Sequence, residues 1–209
     1  MKYVGLKGFS KYGDEKAFTV EEINRMAEGE EVFVALNRVR EADEIAKVAE
    51  KLEVSGFIVN ELAAVKRLRG KVIVSVGLNA LNKLDVEFFR DLGAYAVVVP
   101  PEVNDEIDEM KVEGVKIEAF KSAYVEMFYK GKCLLSAYFS GRSAKLDGVC
   151  GKECCRKWKV EFDGGKLEIT FPPRRVDFDV NADILKFEGR QFGGVEVMVC
   201  GIDDERSES

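Results

Sequence analysis

Histidine is absent from the 209 residues. That absence removes Ser-His-Asp and Cys-His hydrolase chemistry and every zinc site that needs an imidazole. Any general acid or base must then be Glu, Asp, Lys, Tyr or Cys. No apolar run approaches the length that spans a bilayer, so no transmembrane helix is expected. The start, Met1-Lys2-Tyr3-Val4-Gly5-Leu6-Lys7, is charged too early for a signal peptide, and the sequence reads as cytoplasmic. Glutamine occurs once, at Gln191, amid abundant Lys and Glu, a composition that fits a thermophile. No Gly-x-Gly-x-x-Gly turn supports a dinucleotide site. The cysteines number five, odd for a disulfide framework, and in such a chain they point to metal or redox chemistry.

What is present is concentrated. Cys133, Cys150, Cys154 and Cys155 share one short, polar, glycine-containing window, and Cys200 lies near the C-terminus. Soft thiolates select iron–sulfur clusters or zinc. The window reads as a loop, where functional residues gather. The formal net charge of −6 argues against a protein that coats nucleic acid. The charge is uneven, however. Arg142, Lys145, Lys152, Arg156, Lys157 and Lys159 stand against only Asp147 and Glu153 in the same stretch. This is either a solvated basic loop or a grip on an anionic substrate.

The first 120 residues alternate strand and helix patterns. Apolar runs suited to buried parallel strands occur at Tyr3–Leu6, Val32–Leu36, Phe57–Val59, Val72–Val76, Ala96–Val99 and Val115–Phe120. Thr19-Val20-Glu21-Glu22 is a capping box that opens a helix. Ile45, Val48, Ala49 and Leu52 share one face of a second helix. Phe88, Phe89 and Leu92 line a third, which stops at Gly93. Repeated strand–helix units predict a parallel sheet with right-handed crossovers. The leading fold class is α/β, a TIM-like barrel, incomplete or open because the strands fall short of eight. A doubly wound sheet is the alternative. After Cys155, Lys157–Phe162 and Lys166–Phe171 flank Asp163-Gly164-Gly165 as a β-hairpin insertion. Asp183–Phe187 and Val195–Val199 read as final strands. The whole, 1–209, is read as a single domain: βα units over 1–120, a cysteine-rich loop over 121–156, the hairpin over 157–173 and the last strands over 183–200.

These residues resemble the collagenase-like peptidase U32 family. Glu118-Ala119-Phe120 matches the Glu-x-Phe that opens the family signature, and Gly131-Lys132-Cys133-Leu134-Leu135-Ser136 matches its close. Ser140-Gly141-Arg142-Ser143, the Cys150-x-x-x-Cys154 pair, and Leu185-Lys186-Phe187-Glu188-Gly189-Arg190 resemble segments that follow it. Asn79-Ala80-Leu81-Asn82 resembles the asparagine-marked strand end. Departures are equally clear. The family's His-Gly is Ser122-Ala123 here, its first cysteine falls on Glu126, and a strand that should precede Tyr3 is missing. The late cysteine segment is reduced to Phe171–Val176.

The resemblance implies a [4Fe–4S] cluster held by cysteines and oxygen-independent hydroxylation of an RNA base or a quinone precursor. It equally carries the peptidase name. Cys133, Cys150 and Cys154 are the best three ligands, because a cubane needs soft donors converging on one point. Cys200 is the fourth by elimination, with Cys155, Glu126 or a partner residue as alternatives, and zinc as the alternative metal. Arg142 and Arg190 suit an anionic substrate, since guanidinium forks match carboxylates. Glu188, at a strand's C-terminal end, is positioned for the barrel mouth as a catalytic candidate, or else pairs with Arg190 or a neighbouring lysine. Glu118 is read as an acid/base or orienting group, or as half of a buried ion pair. Asn37 and Asn79 either line the mouth or form turns. Three functions compete: an iron–sulfur hydroxylation protein, a peptidase, and a non-catalytic partner subunit. The partners expected are a small anionic or RNA substrate, and a second copy or a full-length relative in a dimer.

Overall fold

The structure, a computed structural model, describes residues 1–201 other than 12, 126–127, 129–132, 148–152 and 193–194, and leaves out the side chains of 144–145 and 189–201. Among the described residues eleven strands are formed. They are β1 (Lys2–Gly5), β2 (Val32–Leu36), β3 (Gly56–Val59), β4 (Lys71–Val74), β5 (Ala96–Val98), β6 (Lys116–Val125), β7 (Trp158–Phe162), β8 (Gly165–Ile169), β9 (Arg174–Asp177), β10 (Ile184–Phe192) and β11 (Val195–Gly201). The helices between them are α1 (Val20–Ala27), α2 (Ala42–Ala49), α3 (Leu62–Arg67), α4 (Lys83–Asp91) and α5 (Ile107–Met110), with α6 (Leu134–Ser140) after β6. Among the described residues no helix is long and apolar enough to cross a membrane.

Strands β1 to β6 pair in sequence order and all in parallel. This is the curled parallel sheet of an α/β fold, a partial barrel. Side chains alternate between its two faces. Val34, Leu36, Phe57, Val59, Val74, Val97 and Ile117 point outward and join Ile23, Ile45, Val65, Val86 and Phe89 of the helices. Phe33, Ala35, Ile58, Ile73, Val98 and Phe120 point inward and pack on each other. Both faces are covered, which is why the strands read as unbroken apolar runs.

The sheet's curl is completed by the end of the chain. β10 pairs in parallel with β6, and on its other side pairs antiparallel with β11. β11 in turn pairs antiparallel with β1, Lys2 opposite Val199 and Tyr3 opposite Met198. The open edge expected beside Tyr3 is therefore occupied by this chain's own β11. β11 reaches this edge as an antiparallel strand straight after β10, and a reversed strand needs no helical crossover.

Other expectations need correction. The cysteine window is not wholly loop: α6 begins straight after Cys133, and a 3₁₀ turn spans Glu153–Cys155. Phe88 of α4 is half exposed, while Phe89 and Val86 carry the buried face. Arg174–Asp177 forms β9, paired with the outer half of β6. That strand escaped sequence reading because all its residues are exposed and none alternates in polarity.

The capping box is formed. The Thr19 side chain accepts from Glu22 N at 3.3 Å, and Glu22 Oε2 accepts from Thr19 N at 2.7 Å. That backbone N–H holds the Glu22 carboxyl below its ordinary value. The lowered group contributes stability above the unfolded-state value and loses it as pH falls through the folded-state value. Thr19→Ala is expected to cost about 1 kcal/mol while keeping this acid-limb dependence, because its backbone N–H remains, and Glu22→Gln is expected to remove the dependence in urea melts across pH. No loss in Thr19→Ala, or an acid limb unchanged in Glu22→Gln, would show that the corresponding half of the box is not formed.

Candidate functional site

Two polar regions stand out. The first lies inside the curl. Glu118 occupies an inward position of β6 and has no exposed surface. Its Oε2 accepts from Tyr3 Oη at 2.5 Å and its Oε1 pairs with Lys186 Nζ at 2.6 Å. Lys186, inward on β10, places its ammonium 4.8 Å from the Tyr3 ring centre and 5.3 Å from that of Phe120. Cation–π attraction and the carboxylate together offset the desolvation of this charge. Of the readings open for Glu118, the buried ion pair is realised in the geometry. Lys186 and Tyr3 were not singled out from sequence. The available signal was a lysine at an inward position between Ile184, Leu185 and Phe187, where a charge needs a partner.

The C-terminal ends of the parallel strands carry the second polar layer. Ser10, Asn37, Ser75 and Ser122 are all buried there. Asn37 Oδ1 accepts from Lys11 N at 2.9 Å, so instead of forming a local turn it ties the segment after β2 to the one after β1 at this end. Asn79 takes the left-handed conformation, φ 53° and ψ 67°, closing the turn after β4. Ser122, standing where the family motif has histidine, accepts from Arg175 Nε at 2.9 Å. Glu188 ends up buried, and its Oε2 accepts from Tyr124 N at 2.9 Å. It thereby ties β10 to the part of β6 that projects beyond the curl.

The cysteines sit on a lobe that follows β6. Cys133 caps α6, and its Sγ accepts from Ser136 N at 3.4 Å. Cys154 is half-buried in the 3₁₀ turn, with its Sγ 3.9 Å from that of exposed Cys155. Helix α6 packs on this turn. Phe139 of α6 meets Trp158 with ring centres 4.3 Å apart, and Trp158 Nε1 donates to Glu153 O at 2.9 Å. Trp158 thus joins the hairpin to the cysteine turn. Phe171 N donates to Cys154 O at 2.9 Å, which fixes the turn from the other side. Arg142 is exposed just after the left-handed Gly141 that ends α6.

Cys150 and Glu126 lie outside the described residues, as do the side chains of Arg190 and Cys200. Among the described residues no group of three Cys, Asp or Glu side chains is gathered as a metal cage. Cys133 and Cys154 fit a thiolate-bound cluster by chemistry: both are soft donors, and the Cys133 sulfur already receives a backbone N–H, as ligating sulfurs do.

The model of peptidase family U32 matches residues 2–191. The chain belongs to this family. Among U32 relatives, an uncharacterized protease of Methanocaldococcus jannaschii is 27% identical over 80% of this chain and 46% of its own length. A collagenase of Porphyromonas gingivalis is 27% identical over 91% of this chain and 56% of its own. The tRNA hydroxylation protein P of Escherichia coli is 33% identical over 44% of this chain and 20% of its own. The chain therefore spans about half, or less, of the length of these relatives. A solved U32 peptidase superposes with a TM-score of 0.50 at 18% identity, covering 59% of this chain and 61% of the other. That likeness concerns the fold.

Proposed function

We propose that this U32 chain holds an iron–sulfur cluster through Cys133, Cys150 and Cys154 with Cys200 as fourth ligand, and acts in oxygen-independent hydroxylation or a related modification of an RNA base or small aromatic. The observation that carries this reading is the docking of α6 on the Glu153–Cys155 turn, which brings two cysteine-bearing elements onto one lobe beyond the C-terminal end of β6. In a TIM-like arrangement that end of the strands is the working face. The name of the tRNA hydroxylation relatives supports the reaction class.

A cluster held there would supply one-electron chemistry. The chain's own residues would do the rest. Arg142 and Arg190 would hold an anionic group of the substrate. Glu188, fixed by the Tyr124 N–H, would present its carboxylate end toward the strand termini. Glu118 would act from below by fixing Lys186 and Tyr3.

Anaerobic purification with iron, sulfide and zinc analysis tests this. Iron with sulfide is expected in the parent, and Cys133→Ala is expected to lose most of it. Unchanged iron in that variant would overturn the assignment; zinc without sulfide would replace the cluster with a zinc site. A peptidase reading is favoured by the collagenase match over most of the chain. It predicts casein or gelatin cleavage by the metal-loaded protein. A partner-subunit reading predicts co-purification with a full-length relative, and a dimer of this chain predicts a doubled mass in solution.

A further inference from the structure

The Glu153–Cys155 turn carries two cysteines in succession, and the cluster assignment uses one of them. On a helical turn, neighbouring side chains point apart and do not face each other. Here they converge: the Sγ atoms of Cys154 and Cys155 lie 3.9 Å apart. Both residues are in the thiol form. Their exposure differs, Cys155 being exposed and Cys154 half-buried. The backbone of the turn is fixed. Cys154 O accepts from Phe171 N at 2.9 Å, and Glu153 O accepts from Arg156 N at 3.1 Å.

Two thiols so placed suit thiol–disulfide exchange. A soluble disulfide reaches the exposed sulfur, and the half-buried one stands beside it as the resolving group. Adjacency also sets the character of the bond they form. Cα atoms joined by a trans peptide stand about 3.8 Å apart, short of the about 4.4–6.8 Å over which disulfides ordinarily close. A bond between Cys154 and Cys155 is therefore strained and readily reduced, which marks an exchange disulfide rather than a structural one. The surroundings favour a disulfide that carries carboxylates. Arg156 and Lys157 follow immediately, their side chains 66% and 75% exposed.

We propose that Cys154 and Cys155 form a thiol–disulfide exchange site for an anionic low-molecular-weight disulfide, and that the oxidised pair withdraws Cys154 from the cluster. Cys155 Sγ attacks one sulfur of the small disulfide, forming a mixed disulfide and releasing the first small thiol. Cys154 Sγ then attacks Cys155 Sγ, closing the bond between them and releasing the second small thiol. Two electrons pass from the cysteine pair to the small disulfide. The protons of the two cysteine thiols end on the two small thiols. An excess of the small thiol reverses both steps. A sulfur held in this bond cannot donate to iron, so disulfide and cluster exclude each other at Cys154. The exclusion rests on Cys154 being a cluster ligand; the exchange does not.

The test uses the full chain, purified without oxygen, with oxidised glutathione as the probe. Remaining thiols are blocked with iodoacetamide and the chain is cut with trypsin, which places both cysteines and no other in the peptide Glu153–Arg156. That peptide is expected to emerge unalkylated and two hydrogens lighter than its dithiol form, and excess reduced glutathione is expected to restore the dithiol. Cys154→Ser is expected to stop at glutathione on Cys155. Cys155→Ser is expected to react at Cys154 about tenfold more slowly than the parent pair, because the remaining sulfur is half-buried. A bond from either residue to a different cysteine, or no glutathione on Cys155 in Cys154→Ser, would overturn the site. Protein carrying iron and sulfide is expected to exchange about tenfold more slowly than iron-free protein, since its Cys154 is engaged. Equal rates would overturn the exclusion. A preparation without iron would overturn the exclusion together with the cluster assignment, while the peptide would still decide the exchange site.

Discussion

Lys186→Met is expected to lower the unfolding free energy by about 3–5 kcal/mol, the usual cost of removing one partner from a buried ion pair. The reason lies in what is left behind. Glu118 has no exposed surface, and without the ammonium its carboxylate still accepts from Tyr3 Oη but loses its counter-charge. The ammonium is equally enclosed, 4% exposed, so solvent does not screen the pair. Adding Glu118→Gln to Lys186→Met should recover most of the loss, because the amide still accepts from Tyr3 and carries no charge. Urea denaturation of the parent, both single variants and the double variant gives the coupling directly. A Lys186→Met effect under 1 kcal/mol, or a double variant no better than the single, would sink the assignment. The same set of proteins separates structure from chemistry at this pair. A double variant that regains stability yet cannot turn over substrate would give the Glu118–Lys186 pair a part in the reaction.

The second large effect is expected at Phe33. This ring has no exposed surface and sits near the start of β2 on the inner face. Tyr3 lies 5.7 Å from it and Tyr95 6.4 Å, ring centre to ring centre. Lys71 and Lys116 place their ammoniums 5.1 Å from the Tyr95 ring centre, and Lys116 Nζ also donates to Tyr95 Oη at 3.1 Å. These side chains close the N-terminal end of the curl. Phe33→Ala should cost about 3–5 kcal/mol, because a hole ringed by hydrogen-bonded strands cannot collapse. Gly56 is the complementary constraint: a Cβ there would meet Lys71 O at 2.3 Å and the Phe33 ring at 2.6 Å. The aromatic ring fills the space that the glycine vacates. Equilibrium unfolding of Phe33→Ala checks this, and a loss under 1 kcal/mol would mean the ring is not a core element. Against a total stability of about 5–15 kcal/mol, either change removes a large share.

Much of the parallel sheet could be read in the sequence because burial on both faces leaves an unbroken apolar signature. Val32–Leu36 is found with the bounds expected, and the other early strands shift by a residue or a few. The hairpin was equally plain, with Asp163-Gly164 between β7 and β8. Ring closure was not legible. Nothing in Val195–Val199 states that it runs antiparallel beside Tyr3, since pairing across the whole chain leaves no local mark. The candidate site was legible where composition is unusual and hidden where it is ordinary. Clustered cysteines announce themselves. Ser75 and Lys186 do not, because a single polar residue at a strand end or within a strand acquires meaning only from which face it occupies. Phase along the strand supplies that information, and it requires knowing that the sheet curls.

Strand β11 also bears on how the molecule is made. Lys2 and Tyr3 pair with Val199 and Met198, nearly two hundred residues further along the chain. Until β11 has been made, that edge of β1 lacks the partner it has in the fold and is open to other chains. Among the described pairings this contact closes the longest loop, which places it late and makes it slow. Nascent chains stalled before β10 are thus expected to need chaperone cover that completed chains do not.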